Sequence, residues 1–544
     1  MISGNLFRDA VINAAVCLER RKQQVDELNV YPVPDGDTGT NMSMTLNSAR
    51  KELEMLSDDA DISKVADVTA SALLRGARGN SGVILSLLFR GFSKGFKELR
   101  TAKCENFANA LELGVDAAYK AVMKPTEGTI LTVARLAAEK AQNSYQDTNE
   151  ISVFWKNVCE AANEALQKTP EMLPILKKSG VVDAGGQGLV IIFEAMLDIF
   201  NGKKIERNQS KTVTANPVAT AVGEADTDIK FSYCTECIIT KHADCKDAAL
   251  LRAYLETIGD CVLVVDDDDI IKVHVHTNNP GVVLEKALEY GTINLPKIEN
   301  MKLQHDGKKR EANQEPRAVA KRKPEKKYGF VAVAAGHGVE ELFKDLGADN
   351  VVTGGQTMNP STEDILDAIF STPAETVFVL PNNKNIIMAA EQAIKLADRG
   401  VCVLQTRTIP QGISALLAFD ESAELSENKL AMTKAFERIS TGLITFAARD
   451  TELEGHSIKK GEILALDNSK LAFTEKDITK AVLKLTKKMV KNDSSFVTLI
   501  YGSDVTDENA EKMQTLLSQK LSDKIEVTLI NGGQPVYYYI ISVE

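Results

Sequence analysis

The sequence of 544 residues contains no long apolar run, and this absence limits what the chain can be. No stretch approaches the roughly 20 apolar residues that a membrane-spanning helix needs. The first residues also lack the basic and then apolar layout of a secretory signal peptide. We therefore expect a protein without a membrane span that works in the cytoplasm.

Acidic residues outnumber basic ones, and cysteines are few. The chain has 64 Lys and Arg against 76 Asp and Glu, which gives a net charge of -12. Proteins that bind nucleic acid present a basic face, so this balance argues against a nucleic-acid partner. Eight cysteines in so long a chain suit a reducing compartment, where thiols are buried or bound to metal.

The chain is long enough for roughly three or four domains, at about 150 residues each. Helical periodicity continues from near the start to about Gly202, which predicts an all-α domain of roughly eight helices over residues 1–202. A polar stretch at residues 203–229 breaks this periodicity and predicts a linker.

The pattern changes after this linker. Residues 230–302 read as strand, helix, strand, strand and helix, which predicts a small α+β middle domain. Its acidic run at 266–269 predicts a solvated hairpin loop, with a calcium site as the alternative. Residues 303–327 predict a charged linker, with contact to an acidic partner as the alternative.

From residue 328 to 544 buried strands alternate with helices, which predicts a two-lobed α/β domain with a parallel sheet.

The densest chemistry lies in the sequence PDGDTGTN at residues 34–41. In a turn, the carboxylates of Asp35 and Asp37 can converge on a hard cation, for which Mg²⁺ fits best, and Asn29 could add a third oxygen. The helical segment that follows places the N–H groups of residues 38–41 at a helix N-terminus, where a phosphate is favoured. The alternative is an ordinary turn and N-cap, because these use the same residue types.

Three more polar or glycine-rich loops occur in the same domain: RGARGNSG at 75–82, KPTEGTIL at 124–131 and VVDAGGQG at 181–188. The first of these offers Ser81 and N–H groups for phosphates. Any one of the loops is compatible with a plain connection between helices. Four loops in one helical domain indicate a nucleotide site.

In their order, these loops resemble the nucleotide-binding domain of dihydroxyacetone kinases, a helical barrel that holds ATP through magnesium ions bound by aspartates. The forms NVYPVPDGDTGTN from residue 29 and GARGNSG from residue 76 are similar to the ATP-binding subunit of bacterial fatty acid kinases. The resemblance extends over the whole chain, through VHVHT at 273–277 and GGQTMNPS at 354–361.

The resemblance and the loops together give a predicted site. Asp35 and Asp37 are the predicted catalytic residues and, with Asn29, the predicted magnesium ligands. Dihydroxyacetone kinases carry an aspartate before the Asp-Gly-Asp pair, where this chain has the neutral Asn29. The predicted ATP contacts are Thr38, Thr40, Asn41, Gly79, Asn80, Ser81, Gly128, Thr129 and Asp183.

The identity of the acceptor follows partly from proton chemistry. A fatty acid carboxylate, with a pKa of about 4.3, is ionised at neutral pH and needs no general base, whereas a dihydroxyacetone hydroxyl must lose a proton. The sequence shows no obvious base, which favours the acyl acceptor. The resemblance implies a separate fatty-acid-binding carrier protein, an acyl phosphate product and a homodimer. A dihydroxyacetone-type kinase and a non-catalytic nucleotide-binding scaffold stay open as alternatives.

The middle domain contains a candidate metal site. His274 and His276 are two residues apart, so on a strand both imidazoles project from one face. Cys234 and Cys237 on a neighbouring strand would supply thiolates, and Cys/His sets favour zinc. The resemblance implies a structural Zn²⁺ bound by Cys234 and the two histidines. Strand histidines without a metal are the alternative.

In the C-terminal domain, GHG at 336–338 follows a buried strand and predicts either a tight turn or an anion site. Residues 354–361 and 407–412 also follow strands, at the same end of the predicted sheet. Their clustering predicts a recognition surface, and the resemblance suggests that the fatty-acid-binding carrier docks there.

Overall fold

The computed structural model describes residues 1–29, 36–122, 124–205, 231–242, 245, 248–266, 270–300, 321–355, 358–448, 450–453 and 456–544. The described residues fall into two compact units. One unit combines the N-terminal and C-terminal parts of the chain, and the other is the middle domain. The layout of a helical domain, a small middle domain and a C-terminal α/β domain is the one that the sequence predicts.

Nine helices make up the described part of residues 1–205, hereafter the helical domain. A short ladder pairs β1 (Ile2–Ser3) with β2 (Thr101–Ala102). The helices are α1 (Gly4–Asp26), α2 (Thr38–Leu53), α3 (Ile62–Arg75), α4 (Gly79–Gly95), α5 (Cys104–Ala121), α6 (Ile130–Ser144), α7 (Ile151–Met172), α8 (Pro174–Ser179) and α9 (Ala184–Phe200). The predicted count of about eight omits α8, which is a six-residue helix begun by a proline.

Aromatic rings fill the centre of the helical domain. Phe96 and Phe107 have ring centroids 4.8 Å apart, and Phe107 meets the edge of Trp155 at 5.7 Å. Trp155 is fully buried and donates its indole N–H to the Phe193 carbonyl at 3.0 Å, so its one polar atom is satisfied. Each of these rings contributes roughly 1.5–3 kcal/mol of burial free energy, which fixes the helices that present the loops.

The middle domain is a four-stranded antiparallel sheet with two helices. Its sheet order is β4-β5-β3-β6. Its elements are β3 (Tyr233–Lys241), α10 (Ala248–Ile258), β4 (Gly259–Asp266), β5 (Ile270–Thr277), α11 (Pro280–Leu288) and β6 (Gly291–Asn300). The sequence prediction ended at the second helix and missed β6. This strand contains Pro296 and lies at an edge of the sheet, the position where a strand tolerates a residue without an N–H.

The first lobe of the C-terminal domain (residues 321–437) is a parallel sheet covered by helices, as predicted. Its strand order is β10-β9-β7-β8, and every pairing is parallel. Its elements are β7 (Lys326–Ala334), α12 (His337–Asp345), β8 (Asn350–Thr353), α13 (Thr362–Ser371), β9 (Ala374–Leu380), α14 (Ile387–Ile394), β10 (Gly400–Val403), α15 (Ile409–Leu417) and α16 (Leu425–Glu437).

The second lobe (residues 440–544) is built on a six-stranded mixed sheet of order β15-β14-β11-β18-β16-β17. Its elements are β11 (Ser440–Phe446), β12 (Thr451–Leu453), β13 (His456–Ile458), β14 (Ile463–Asp467), β15 (Lys470–Glu475), α17 (Ile478–Met489), β16 (Phe496–Tyr501), α18 (Asp507–Lys520), β17 (Glu526–Asn531) and β18 (Tyr539–Val543). The sequence pattern also predicts a helix over 427–442. That prediction is wrong at its end, because the chain leaves the helix after Glu437 and pairs as β11.

The helical domain and the first lobe share one continuous hydrophobic core. The cluster that contains the helix residues also includes Val331 and Val333 of β7, Ile365 of α13 and Ala389 of α14. This packing brings the carboxyl ends of the parallel strands opposite the polar loops of the helical domain. In an open α/β sheet, this edge is where ligands bind.

Candidate active site

A cavity of about 450 Å³ lies between the helical domain and the C-terminal domain. Pockets for small ligands usually have volumes of about 300–1,000 Å³. The wall from the helical domain includes Asn29, Gly36, Asp37, Thr38, Asn41, Asn80, Ser81 and Asp183. The opposite wall comes from residues that follow the strands of the first lobe, among them Gly354, Gly355, Asn382, Lys384, Arg407 and Thr408. The structure therefore brings together predicted residues from three of the four loops.

A second cavity of about 300 Å³ adjoins the first and shares part of its lining. The shared residues are Asn29, Thr38, Asn80, Ser81, Leu176 and Asp183. Lys124, Thr126 and Thr129 belong to the second cavity alone. Gly128 has a positive φ of 83°, and a Cβ there would lie 2.9 Å from the Leu173 side chain, so it shapes the third loop without lining either cavity.

The start of α2 has a partner that the sequence prediction missed. Asp26 Oδ1 accepts the backbone N–H of Gly39 at 2.6 Å and that of Thr40 at 3.1 Å. Its Oδ2 accepts the Thr40 hydroxyl at 2.7 Å. The prediction that these N–H groups and Thr40 face a phosphate is therefore corrected, because a carboxylate of the protein already satisfies them. Asp26 ends α1, and no local spacing pointed to it.

Asn29 and Thr38 form a second contact near the same loop. The Thr38 hydroxyl donates to Asn29 Oδ1 at 2.8 Å, and Asn29 Nδ2 donates to the Asp26 carbonyl at 2.9 Å. An amide oxygen has two lone pairs, so Asn29 retains one for a cation. Asp35 lies outside the described residues. Among those that the structure describes, no group of three or more His, Cys, Asp or Glu could hold a metal ion, so the magnesium set stays a prediction.

The second loop packs tightly on the first. Gly79 has a φ of 59°, and a Cβ there would lie 2.7 Å from Nδ2 of the buried Asn41. Asn80 follows, and its buried Oδ1 has no hydrogen-bond partner among the residues that the structure describes. Buried acceptors are normally satisfied, so an unpaired oxygen on a residue that lines both cavities fits a donor on a ligand or on a metal-bound water. This observation supports a nucleotide with its metal at these loops.

Asp183 connects the third and fourth loops. Its Oδ2 accepts the Gly186 N–H at 2.7 Å and so caps α9, and the carboxylate is also hydrogen-bonded by the backbone of Ile130. Burial raises the pKa of Asp183 to about 6, although both backbone hydrogen bonds act to lower it. The group is thus mainly ionised at neutral pH and offers an acceptor beside the second cavity.

A loop of the first lobe reaches the opposite side of the site. Asn359 is buried and donates its Nδ2–H to Asp37 Oδ2 at 2.7 Å. Ser361 is also buried and pairs with the backbone of Arg78. The interpretation of residues 354–361 as a partner-binding surface is therefore corrected for Asn359 and Ser361, since both face the helical domain. Met358 stays half-exposed.

The turn at residues 336–338 is an ordinary turn and not an anion site. A Cβ on Gly338 would lie 1.9 Å from the Asn531 carbonyl, so the backbone of the second lobe covers the turn. The N–H of Val339 donates to the Gly532 carbonyl at 3.2 Å. This contact uses a helix N-terminal donor that an anion would need.

Comparison with known proteins agrees with this arrangement. Three family models match consecutive parts of the chain: the DAK2 domain over residues 32–198, the FakA-like middle domain of fatty acid kinases over 230–308 and the FakA-like C-terminal domain of fatty acid kinases over 329–544. Protein YloV of Bacillus subtilis is 43% identical over 553 residues, which cover 100% of this chain and 99% of that protein. The chain belongs to the FakA-like fatty acid kinase family.

Other relatives and solved structures resemble this FakA-like chain. An uncharacterized protein of Staphylococcus haemolyticus is 41% identical over 551 residues, covering 100% of this chain and 99% of its own. The dihydroxyacetone kinase from C. freundii, in complex with AMP-PNP and Mg²⁺, matches 35% of this chain and 33% of its own with 19% identity and a TM-score of 0.28. The DegV family protein Cg2579 from Corynebacterium glutamicum matches 40% of this chain and 97% of its own, with 11% identity and a TM-score of 0.32.

In the middle domain of this FakA-like chain, two of the predicted zinc residues lie opposite each other on neighbouring strands. The β3–β5 register pairs Cys234 with His276 and Glu236 with His274. The side chains of Cys234 and His274 lie outside the described part of the structure, so the zinc site stays a prediction. Cys237 is buried in the sheet core, and burial raises the pKa of its thiol to about 11. In the register, Cys237 pairs with Val273 and not with either histidine, whereas Cys234 pairs with His276.

The remaining predictions concern the acidic run, the charged linker, membrane spans and the enzyme class. Asp267, Asp268 and Asp269 of the acidic run lie outside the described residues, as does most of the charged segment 303–327. Among the described helices, none is both long and apolar enough to cross a membrane. The DAK2 and FakA-like domains are those of a phosphotransferase family.

Proposed function

We propose that this chain is the ATP-binding catalytic subunit of a fatty acid kinase. It transfers the γ-phosphoryl group of ATP to the carboxylate of a fatty acid that a separate binding protein presents, and it releases acyl phosphate and ADP. The observation that carries the proposal is the cavity in which the loops of the DAK2 domain face the strand ends of the C-terminal domain. A donor on one wall and an acceptor on the other can meet there.

The donor side needs positioning and charge neutralisation rather than a covalent catalyst. Asp37, with Asp35 and Asn29, would hold Mg²⁺, which neutralises charge on the phosphates when it is bound. Ser81 and Asn80 line both cavities and would contact the phosphates and the nucleoside side of ATP. Thr129 lines the second cavity alone and Asp183 lines both, and we assign the second cavity to the nucleoside.

The acceptor side favours an anionic acceptor. Lys384 and Arg407 follow strands β9 and β10 and contribute two exposed cationic side chains to the wall opposite Asp37. These cations would attract a carboxylate, which is ionised at neutral pH and attacks without a general base. A neutral triose would gain nothing from them and would need a base to accept its proton. The cationic wall is the specific reason to prefer a fatty acid over dihydroxyacetone.

The test uses the full chain with ATP, Mg²⁺ and three acceptors: a fatty acid loaded on a fatty-acid-binding protein, the free fatty acid, and dihydroxyacetone. We expect acyl phosphate only with the loaded carrier. Turnover with dihydroxyacetone alone would assign the chain to the triose kinases. ATP binding without transfer to any acceptor would indicate a nucleotide-binding scaffold.

The homodimer and the cytoplasmic location also stay predictions. Light scattering tests the first, and cell fractionation tests the second.

A further inference from the structure

The contact between Asn359 and Asp37 joins residues that are 322 positions apart in the chain. Asn359 lies in the segment between β8 and α13, is 2% exposed, and donates its amide N–H to Asp37 Oδ2 at 2.7 Å. A carboxylate has about four lone-pair sites, so a hydrogen bond from Asn359 is compatible with a cation on the same group. The bond restricts the rotation of the Asp37 side chain.

The segment that carries Asn359 is itself firmly attached to the second loop. Arg78 Nη1 donates to the Asn359 carbonyl at 2.7 Å, and Arg78 Nη2 lies 3.3 Å from Asp364 Oδ2. The backbone N–H of Thr362 donates to the Ala77 carbonyl at 3.1 Å. These contacts fix the position of Asn359 from both its main chain and the residues that follow it.

The start of α13 is rigid for a second reason. Ser361 Oγ accepts the Asp364 N–H at 3.0 Å, and Asp364 Oδ2 accepts the Ser361 N–H at 2.7 Å, which completes a capping box. Asp364 therefore both caps α13 and forms an ion pair with Arg78. A displacement of the first lobe from the helical domain would break these contacts and remove Asn359 from Asp37.

We propose that Asn359 is a positioning residue of the kinase site, which holds the Asp37 carboxylate in the orientation that binds the magnesium of MgATP. This role rests on the donor half of the proposed function. It makes the C-terminal domain part of the nucleotide site, so that docking of the first lobe and Mg²⁺-dependent nucleotide binding are coupled. Groups that orient metal ligands in this way typically change metal affinity about 10–100-fold when they are removed.

The neutral amide suits this role better than a charged group. Asn359 supplies a donor to a carboxylate without adding or removing charge at the metal. An aspartate of the same shape would place a second carboxylate against Asp37, and the like charges would repel each other. Asn359→Asp is therefore a nearly isosteric variant that reverses the interaction, whereas Asn359→Ala removes it.

The experiment measures binding of a fluorescent ATP analogue to the full chain without any acceptor, in EDTA and across a Mg²⁺ titration. We expect Asn359→Ala and Asn359→Asp to raise the Mg²⁺ midpoint by about 10–100-fold, while the affinity in EDTA changes less than twofold. Asn509→Ala is the matched control, because Asn509 is exposed on α18 and should leave both quantities unchanged. Unfolding followed by the fluorescence of Trp155, the only tryptophan, verifies that each variant keeps a folded helical domain.

Two results would overturn the proposal. The Mg²⁺ midpoints of both Asn359 variants could stay within twofold of the wild type. Alternatively, the affinities in EDTA and in Mg²⁺ could fall by the same factor, which would mean that Asn359 acts only as a structural contact. Because no acceptor is present, a wild-type chain that binds MgATP yet phosphorylates no fatty acid would contradict the proposed acceptor and leave the role of Asn359 standing.

Discussion

The carboxylate of Asp26 and the hydroxyl of Thr40 lie 2.7 Å apart, where the last residue of α1 meets the first turn of α2. The same carboxylate accepts the N–H groups of Gly39 and Thr40. Three donors converge on one side chain, so Asp26 fixes the beginning of the helix that follows the Asp-Gly-Asp loop. Hydrogen bonds to a charged acceptor are stronger than neutral ones.

Loss of this carboxylate should destabilise the helical domain. We expect Asp26→Ala to lower the free energy of unfolding by about 2–3 kcal/mol, because two backbone donors and one hydroxyl lose a charged acceptor. Urea unfolding followed by Trp155 fluorescence measures this quantity. Asp116→Ala, at an exposed carboxylate on α5, is the control and should change stability by less than about 0.5 kcal/mol. Equal effects of the two substitutions would refute the role of Asp26.

The raised pKa of Asp183 predicts a pH dependence of stability. Burial raises this pKa from 3.8 to about 6, so the folded chain holds the proton more tightly than the unfolded chain. The stabilisation is fully present below about pH 4 and is lost as the pH rises through about 6. We expect the unfolding free energy of the wild type, relative to Asp183→Asn, to fall by about 2 kcal/mol between pH 4 and pH 7, with allowance for solvent screening.

Asparagine is the informative replacement because it retains an oxygen that caps α9 but does not titrate in this range. Groups that titrate equally in both proteins cancel in the difference. A wild-type minus Asp183→Asn difference that stays flat across this pH range would contradict the raised pKa.

The close packing of α4 on α5 predicts a large effect of one methyl group. A Cβ on Gly91 would lie 2.1 Å from the Ala110 carbonyl and 2.4 Å from the Gly114 nitrogen, so backbone must move to admit it. Gly91→Ala should cost about 1–3 kcal/mol in the unfolding followed by Trp155. Gly281→Ala is the matched control, since a Cβ there meets nothing within 4 Å, and the same measurement should not change.

The predicted zinc site is testable by metal analysis of the purified chain. The register that pairs Cys234 with His276 predicts about one zinc per chain, lost in His274→Ala and in His276→Ala. His337→Ala should retain the metal, because His337 is 83% exposed on α12 and pairs with Glu341. A zinc content that is the same in all four proteins would exclude the two histidines as ligands.

The fold was predictable where periodicity and local chemistry agree. The helices of the first domain and the parallel strands of the first lobe follow from the apolar pattern alone. The predicted helix over 427–442 is too long because Ile439, three residues after Phe436, continues the helical spacing past the true end of α16. The chain leaves the helix there because β11 pairs with both β14 and β18, and no local pattern contains that information.

The residues of the candidate site also fall into those that the sequence predicts and those that it misses. The sequence predicts Asn80, Ser81 and Asp183 as site residues because each lies in a loop whose composition stands out, and all three line the two cavities. Asp26 and Asn359 were not found as site residues, because their contacts with the loops depend on how distant segments pack. Asn359 in particular comes from another domain, so only the folded chain shows that it touches Asp37.

The most direct test of the account follows the γ-phosphate of labelled ATP in the presence of a fatty acid loaded on its binding protein. Hydroxylamine traps the acyl phosphate as a hydroxamate, so transfer to the carboxylate is measured separately from ATP hydrolysis. We expect hydroxamate from the wild type and a loss on the order of 100-fold in Asp37→Asn, with Trp155 unfolding preserved. Hydroxamate formation at the wild-type rate in Asp37→Asn, or none in the wild type, would contradict the assignment of this cavity as the site of phosphoryl transfer.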